Sequence, residues 1–145
     1  MPYQRMFEQA WDSFATTDSD YNTTGLRIPF YLPEGFIWRI DRLVIQAETD
    51  YAVSNTVYQT FTLYNSSGNA LAQVANGPTA GGLAIGPNAT GVTSTITSTY
   101  QYIDCRTAAS YVYVKTASTS TGVEMVGVKV ILLATPQRKG LGTLS

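Results

Sequence analysis

The feature that most limits the fold is a succession of short segments in which apolar and polar residues alternate with a period of two. Such alternation puts successive side chains on opposite faces of a strand and is incompatible with a buried helical stripe. Leu26, Ile28, Phe30 and Leu32 form the first such series, and Pro29 within it marks an edge strand because proline donates no ladder hydrogen bond. Pro33-Glu34-Gly35 makes a turn. In Phe36 to Ala47, Phe36, Trp38 and Ile40 share one parity while Leu43, Ile45 and Ala47 share the other. A bulge near Asp41-Arg42 would return both sets to one side.

Further segments follow at similar spacing. Val57, Gln59, Phe61 and Leu63 alternate with Tyr58, Thr60, Thr62 and Tyr64, and Asn65-Ser66-Ser67-Gly68-Asn69 reads as a hairpin turn into Ala70 to Val74. Val92 to Thr99, Tyr100 to Cys105 and Tyr111 to Thr116 are the next expected strands. After a small-residue turn at Ala117 to Gly122, Val123 to Leu133 directs Val126, Val128, Val130 and Leu132 to a core. Eight or so strands of this kind predict an all-β fold, a jelly-roll-like two-sheet antiparallel β-sandwich. The chain has 145 residues, which suits a single domain. Its expected parts are a short N-terminal arm, helical or extended, with a linker over 1–24, a sandwich over 25–134 and a flexible C-terminal tail over 135–145.

Three segments break the pattern. Tyr3, Met6, Phe7, Ala10, Trp11 and Phe14 recur at helical spacing, and Pro2 suits a first helical turn. A helix this short needs something to pack on, either this domain's own sheet or a neighbouring subunit that receives Tyr3, Phe7, Trp11 and Phe14 as anchors. A polar linker follows, in which Asp18, Asp20 and Asn22 open like a calcium loop. That pattern fails at Thr23 and Pro29, where Gly and Glu belong. The uncharged stretch Asn76 to Gly91 exposes Leu83 and Ile85 to a partner or folds back as an Ω-loop over the core. At the C-terminus Arg138 and Lys139 stand in a segment without periodicity, either a free end or a second docking arm that meets acidic residues of a neighbour.

Composition limits function more than fold. Charged residues are 13% of the chain, whereas 20 Thr, 11 Ser and 10 Tyr keep it wet with hydroxyls. Hydroxyls cost less to desolvate than charges, which favours protein–protein contact. Nine Lys and Arg are scattered with a net charge of −1, so phosphate neutralisation is not expected and neither is nucleic-acid binding. No apolar run approaches the ~20 residues of a membrane helix, and no secretory signal is read at the N-terminus. The sequons at Asn22, Asn65 and Asn88 are read as chance occurrences in a Thr-rich chain.

Chemistry is scarce. The chain has no His, which removes the usual acid–base group and triad base and leaves zinc without a common ligand. A single cysteine, Cys105, allows no internal disulfide and is expected to be a buried, inert thiol. Half of the ten acidic residues precede Asp41, and no phosphate-binding glycine loop is present. No enzyme activity, cofactor or metal is expected.

Taken in order, the aromatic N-terminal segment, the pair Arg27-Ile28-Pro29-Phe30 and Phe36-Ile37-Trp38-Arg39-Ile40, and a Thr- and Tyr-rich sandwich closing on Val126 to Leu132 resemble the small capsid cement or decoration proteins of tailed bacteriophages. The resemblance spans the whole chain and implies a jelly-roll or related β fold that clamps coat subunits by arms and loops. It further implies a virion location on the capsid surface after synthesis in a host cytoplasm. Its expected partners are major capsid protein subunits and copies of itself, as a homo-oligomer. Tyr3, Phe7, Trp11, Phe14, Leu83, Ile85, Arg138 and Lys139 are the candidate interface residues. The alternatives are a tail or neck ring subunit and a carbohydrate- or receptor-binding module. The last would present Tyr100, Tyr102, Tyr111 or Tyr113 as an exposed platform, whereas a cement protein would spend its aromatics in the arm and the core.

Overall fold

The computed structural model describes residues 4–15, 28–54, 58–77, 82–87, 91–93, 95–118 and 124–138. The strands are β1 (Arg5–Ala15), β2 (Ile28–Leu32), β3 (Phe36–Gln46), β4 (Gln59–Asn65), β5 (Ala70–Ala75), β6 (Gly91–Thr93), β7 (Tyr102–Asp104), β8 (Ser110–Ser118) and β9 (Glu124–Arg138). They form two antiparallel sheets. One has the order β1-β9-β3-β6, with β7 also pairing β3, and the other has the order β2-β8-β4-β5. Every consecutive link except β4–β5 and β6–β7 therefore crosses between sheets, which is the jelly-roll wiring of two interleaved Greek keys.

Alternation explains the core. Ile28, Phe30 and Leu32 of β2 and Val112 and Val114 of β8 are buried on the inner face of the four-stranded sheet. Val128, Val130, Leu132 and Ala134 of β9 are buried opposite them. In β3 the register against β9 shifts between Ile40 and Arg42, so Trp38 and Ile40 on one side of the bulge and Leu43 and Ile45 on the other all point inward. That shift is the one expected from the two parities at Asp41-Arg42. Pro29 lies on β2, an outer strand of its sheet, as a residue without an N–H requires.

Four expectations are corrected. Of the helical and extended forms expected for the N-terminal segment, the extended one is found, as strand β1 paired along its length with β9. Tyr3, Phe7 and Trp11 are spaced by four, and four is both about one helical turn and two full strand periods. The ladder to β9 satisfies backbone groups that a short lone helix would leave wet at both ends. Residues 5–15 therefore belong to the sandwich, not to a separate arm. Second, β9 continues to Arg138, so the sheet takes in residues 135–138 of the expected tail, and Thr135 is buried. Third, among the described residues of the expected strand Val92 to Thr99, ladder pairing is confined to β6, Gly91–Thr93. Beyond it the Thr93 hydroxyl accepts the Thr95 N–H, the Thr97 N–H donates to the Leu71 carbonyl at the edge of β5, and a 3-10 turn closes at Ser98–Tyr100. Hydroxyl side chains that bond their own backbone compete with the ladder. Last, Ile85 forms a bridge with Tyr51 and is fully buried, so this part of the Asn76 to Gly91 stretch folds back over the core.

Candidate functional site

Two small networks are structural. Asp41, at the bulge, accepts hydrogen bonds from Arg39 Nε at 2.7 Å, from Gln4 Nε2 at 3.0 Å and from the Thr135 hydroxyl. Burial works against its charge, but the bonds from Thr135, Gln4 and Arg39 outweigh it and hold the carboxyl below its ordinary range. The network ties the start of β1 to β3 and β9. Nearby in the same sheet Phe7 meets Trp38 edge-on at 5.6 Å and Phe36 meets Trp38 edge-on at 5.7 Å. The Arg5 guanidinium lies 5.8 Å from the Trp38 ring. Cys105 is buried, and burial raises its thiol above the usual value, the opposite of what a nucleophile needs. Asp104 is exposed and drawn down to about 2 by hydrogen bonds from Arg106, a local pair within one turn. Among the described residues no group of three or more His, Cys, Asp or Glu could hold a metal ion.

The features that remain are the two outer faces of the sandwich. In β9 Lys129, Ile131 and Leu133 point away from the core, and the register sets them beside outward residues of β1 and β3. Met6 lies opposite Leu133, Glu8 opposite Ile131, and Val44 lies between Ile131 and Val92 of β6. The result is a contiguous aliphatic patch of Met6, Leu133, Ile131, Val44 and Val92 across four strands. Met6 is 62% exposed and Val92 38%, and the other three are half-buried. Glu8 and Lys129, 3.5 Å apart, and the exposed Arg42 border it.

The outer face of the four-stranded sheet is built from tyrosines. Tyr31 on β2 meets Tyr111 on β8 at 6.2 Å, Tyr111 meets Tyr113 at 6.2 Å, and Tyr113 stacks on Tyr64 of β4 at 5.4 Å and 21°. Tyr31 is 69% exposed at one end of this row, whereas Tyr113 within it is only 5% exposed. Beyond Tyr64 the same face continues into Thr62 and Gln73, whose amide donates to the Thr62 hydroxyl at 3.2 Å. An open groove of about 360 Å³ runs there between β5 and the Thr93, Thr95 and Thr97 side chains.

The sequence candidates are dispersed. Phe7 is half-buried and packs edge-on against Trp38 inside this chain, and Ile85 is fully buried in the core. Leu83 is half-buried and its N–H donates to Ala75. Trp11 pairs with Val128 and Phe14 with Met125 in the β1–β9 ladder, and Arg138 pairs with Phe36. Tyr3 and Lys139 lie outside the described residues, as do Asp18, Asp20 and Asn22 of the calcium-like pattern and the sequons at Asn22 and Asn88. Asn65 is a hairpin residue whose side-chain oxygen accepts the N–H groups of Ser67 and Asn69. Of the tyrosines expected in a platform, Tyr111 and Tyr113 lie on one face, and Tyr102 is 44% exposed on the other sheet.

The sequence carries a signal for the aliphatic patch. Lys129 to Ala134 stays apolar at both parities from Val130 onward, and an ordinary half-exposed strand would place polar residues at 131 and 133.

No family model matches the chain, and no curated protein matches it. Among solved structures it is similar to the VP2 subviral particle of infectious bursal disease virus, with 12% identity and a TM-score of 0.45 over 92% of this chain and 33% of that one. The T=1 particles derived from the same virus give 10% identity and a TM-score of 0.36 over 94% of this chain and 36% of that one. The chain thus spans about a third of the length of these proteins. These are virus particle proteins, but at such distance the assignment of the sandwich rests on its own strand order.

Proposed function

We propose that this chain is a non-enzymatic structural protein of a virus particle, a cement protein that binds across coat subunits and stabilises their shell. The observation that carries this reading is the aliphatic patch on the five-stranded sheet. A sandwich has already buried its two inner faces, so among the described residues an outward surface of Met6, Leu133, Ile131, Val44 and Val92 has no intramolecular reason to be apolar. An apolar centre with Glu8, Lys129 and Arg42 around it has the anatomy of a protein interface. Several modest contacts repeated over a symmetric shell raise the effective affinity and favour the assembled state. The thin stock of titratable groups and the buried thiol support a role without catalysis.

Density-gradient fractionation of the native source, with quantitative mass spectrometry of this chain, tests the reading. Co-sedimentation with particles at copy numbers near that of the main coat protein is expected. A few copies per particle would move the chain to a tail, neck or fibre, and recovery only in the soluble fraction would end the virion reading. Ile131→Lys is expected to weaken particle binding at least about tenfold, roughly 1.4 kcal/mol, while the variant stays folded.

A further inference from the structure

The outer face of the four-stranded sheet lies opposite the patch used for shell docking and has different chemistry. We propose that it binds a neutral saccharide chain, laid from the exposed Tyr31 across Tyr111 and Tyr64 into the groove at Thr62 and Gln73.

Three observations converge on this class of ligand. The first is the ring array. Tyr111, Tyr113 and Tyr64 hold one another at 5.4–6.2 Å, so the platform is ordered before any ligand arrives. Tyr31 leaves most of its surface in water at the end of the row. Rigid aromatic rings supply contact area at little conformational cost, and their apolar faces suit the C–H faces of sugar rings. The second is the groove that continues the same face. It is about 360 Å³ in volume, within the range of small-ligand clefts, and Thr62, Gln73, Thr93, Thr95 and Thr97 line it with hydroxyl and amide groups. Such groups exchange hydrogen bonds with sugar hydroxyls as donors and as acceptors. The third is charge. Among the described outward residues of this face Lys115 is the one charged side chain, which offers little to a phosphate, a sulfated glycan or an acidic peptide. From β2 to β5 the face spans three strand spacings, roughly 14 Å, so the ligand is a chain of several sugar units and not a single ring.

This site is independent of the shell-docking patch, and the test separates them. The full-length protein is run by affinity electrophoresis through gels containing soluble β-glucan, mannan, xylan or galactan, with heparin as the anionic control. Retardation by at least one neutral polysaccharide and none by heparin is expected. Tyr31→Ala and Gln73→Ala should each reduce that retardation at least threefold, and Ile131→Lys should leave it unchanged. Both substituted side chains are exposed, and circular dichroism establishes that each variant keeps its strands. No retardation by any neutral polysaccharide overturns the proposal, as does retardation only by heparin. Retardation that both variants preserve overturns it too, since the binding surface then lies elsewhere.

Discussion

The two outer faces of this sandwich belong to sheets of similar size and make different use of the same surplus of non-polar side chains. On the four-stranded sheet the surplus is aromatic and its inner members cover one another, with Tyr113 packed between Tyr111 and Tyr64 and almost fully covered while Tyr31 stays open to water. On the five-stranded sheet it is aliphatic, and Met6 and Val92 remain open to water beside the half-buried Ile131 and Leu133. Tyrosine can be left outside because its ring stacks on a neighbour while its hydroxyl stays hydrated. Isoleucine and leucine have no polar end to offer, so their exposure is relieved only by another surface. An outward apolar residue therefore carries information about partners only after its contacts within the chain are known.

The strongest way to break the comparison is to remove the layer that both faces rest on. Trp38 is fully buried and donates its indole N–H to the Pro33 carbonyl at 2.9 Å. Trp38→Ala is expected to cost about 3–5 kcal/mol in chemical denaturation, and both faces should be lost in one transition.

A smaller effect distinguishes the sheets. Asp41 accepts bonds from the start of β1 and from β9, on the aliphatic side alone. Asp41→Ala should cost about 1–3 kcal/mol through the donors left without their acceptor, with hydrogen exchange rising first in β1. The same group predicts acid sensitivity. Its folded pKa lies below the ordinary 3.8, so the stability it contributes is present above that pH and disappears as the pH falls through the folded value. A midpoint of unfolding that changes equally in wild type and Asp41→Asn below pH 4 would contradict this assignment.

The finest test sets one face against the other directly. Tyr64→Ala removes a stacked partner of Tyr113 and should cost about 0.5–1.5 kcal/mol beyond the area exposed. Val44→Lys, on the aliphatic face, should change stability by no more than about 0.5 kcal/mol yet still impair particle binding. If Val44→Lys proved the more destabilising of the two, the aliphatic patch would be covered within the chain and would lose its meaning as an interface.

Much of this was legible beforehand. The strands β2, β3, β4, β5, β8 and β9, the edge position of Pro29 and the bulge beside Asp41 all follow from where the period of two holds and where it slips. The first segment was not legible in this way, because a spacing of four at Tyr3, Phe7 and Trp11 fits a helix and a strand equally. Nor could periodicity separate Ile85, which a bridge to Tyr51 draws into the core, from a loop residue offered to a partner.

By itself, then, the sequence determined the class of the fold, because alternation is a local property and survives without knowledge of what lies across the ladder. It also determined the poverty in titratable chemistry, since residues that are absent cannot be assembled by any fold. Strand order was decided only by tertiary structure, which brought β9 between β1 and β3 and β8 between β2 and β4. Both faces described here depend on that order. Ile131 lies far from Val44 and Val92 along the chain, and Tyr31 far from Tyr111, until hydrogen-bonded neighbours place them side by side. A functional surface on a sheet is a cross-strand property, and the pairing that creates it is long-range.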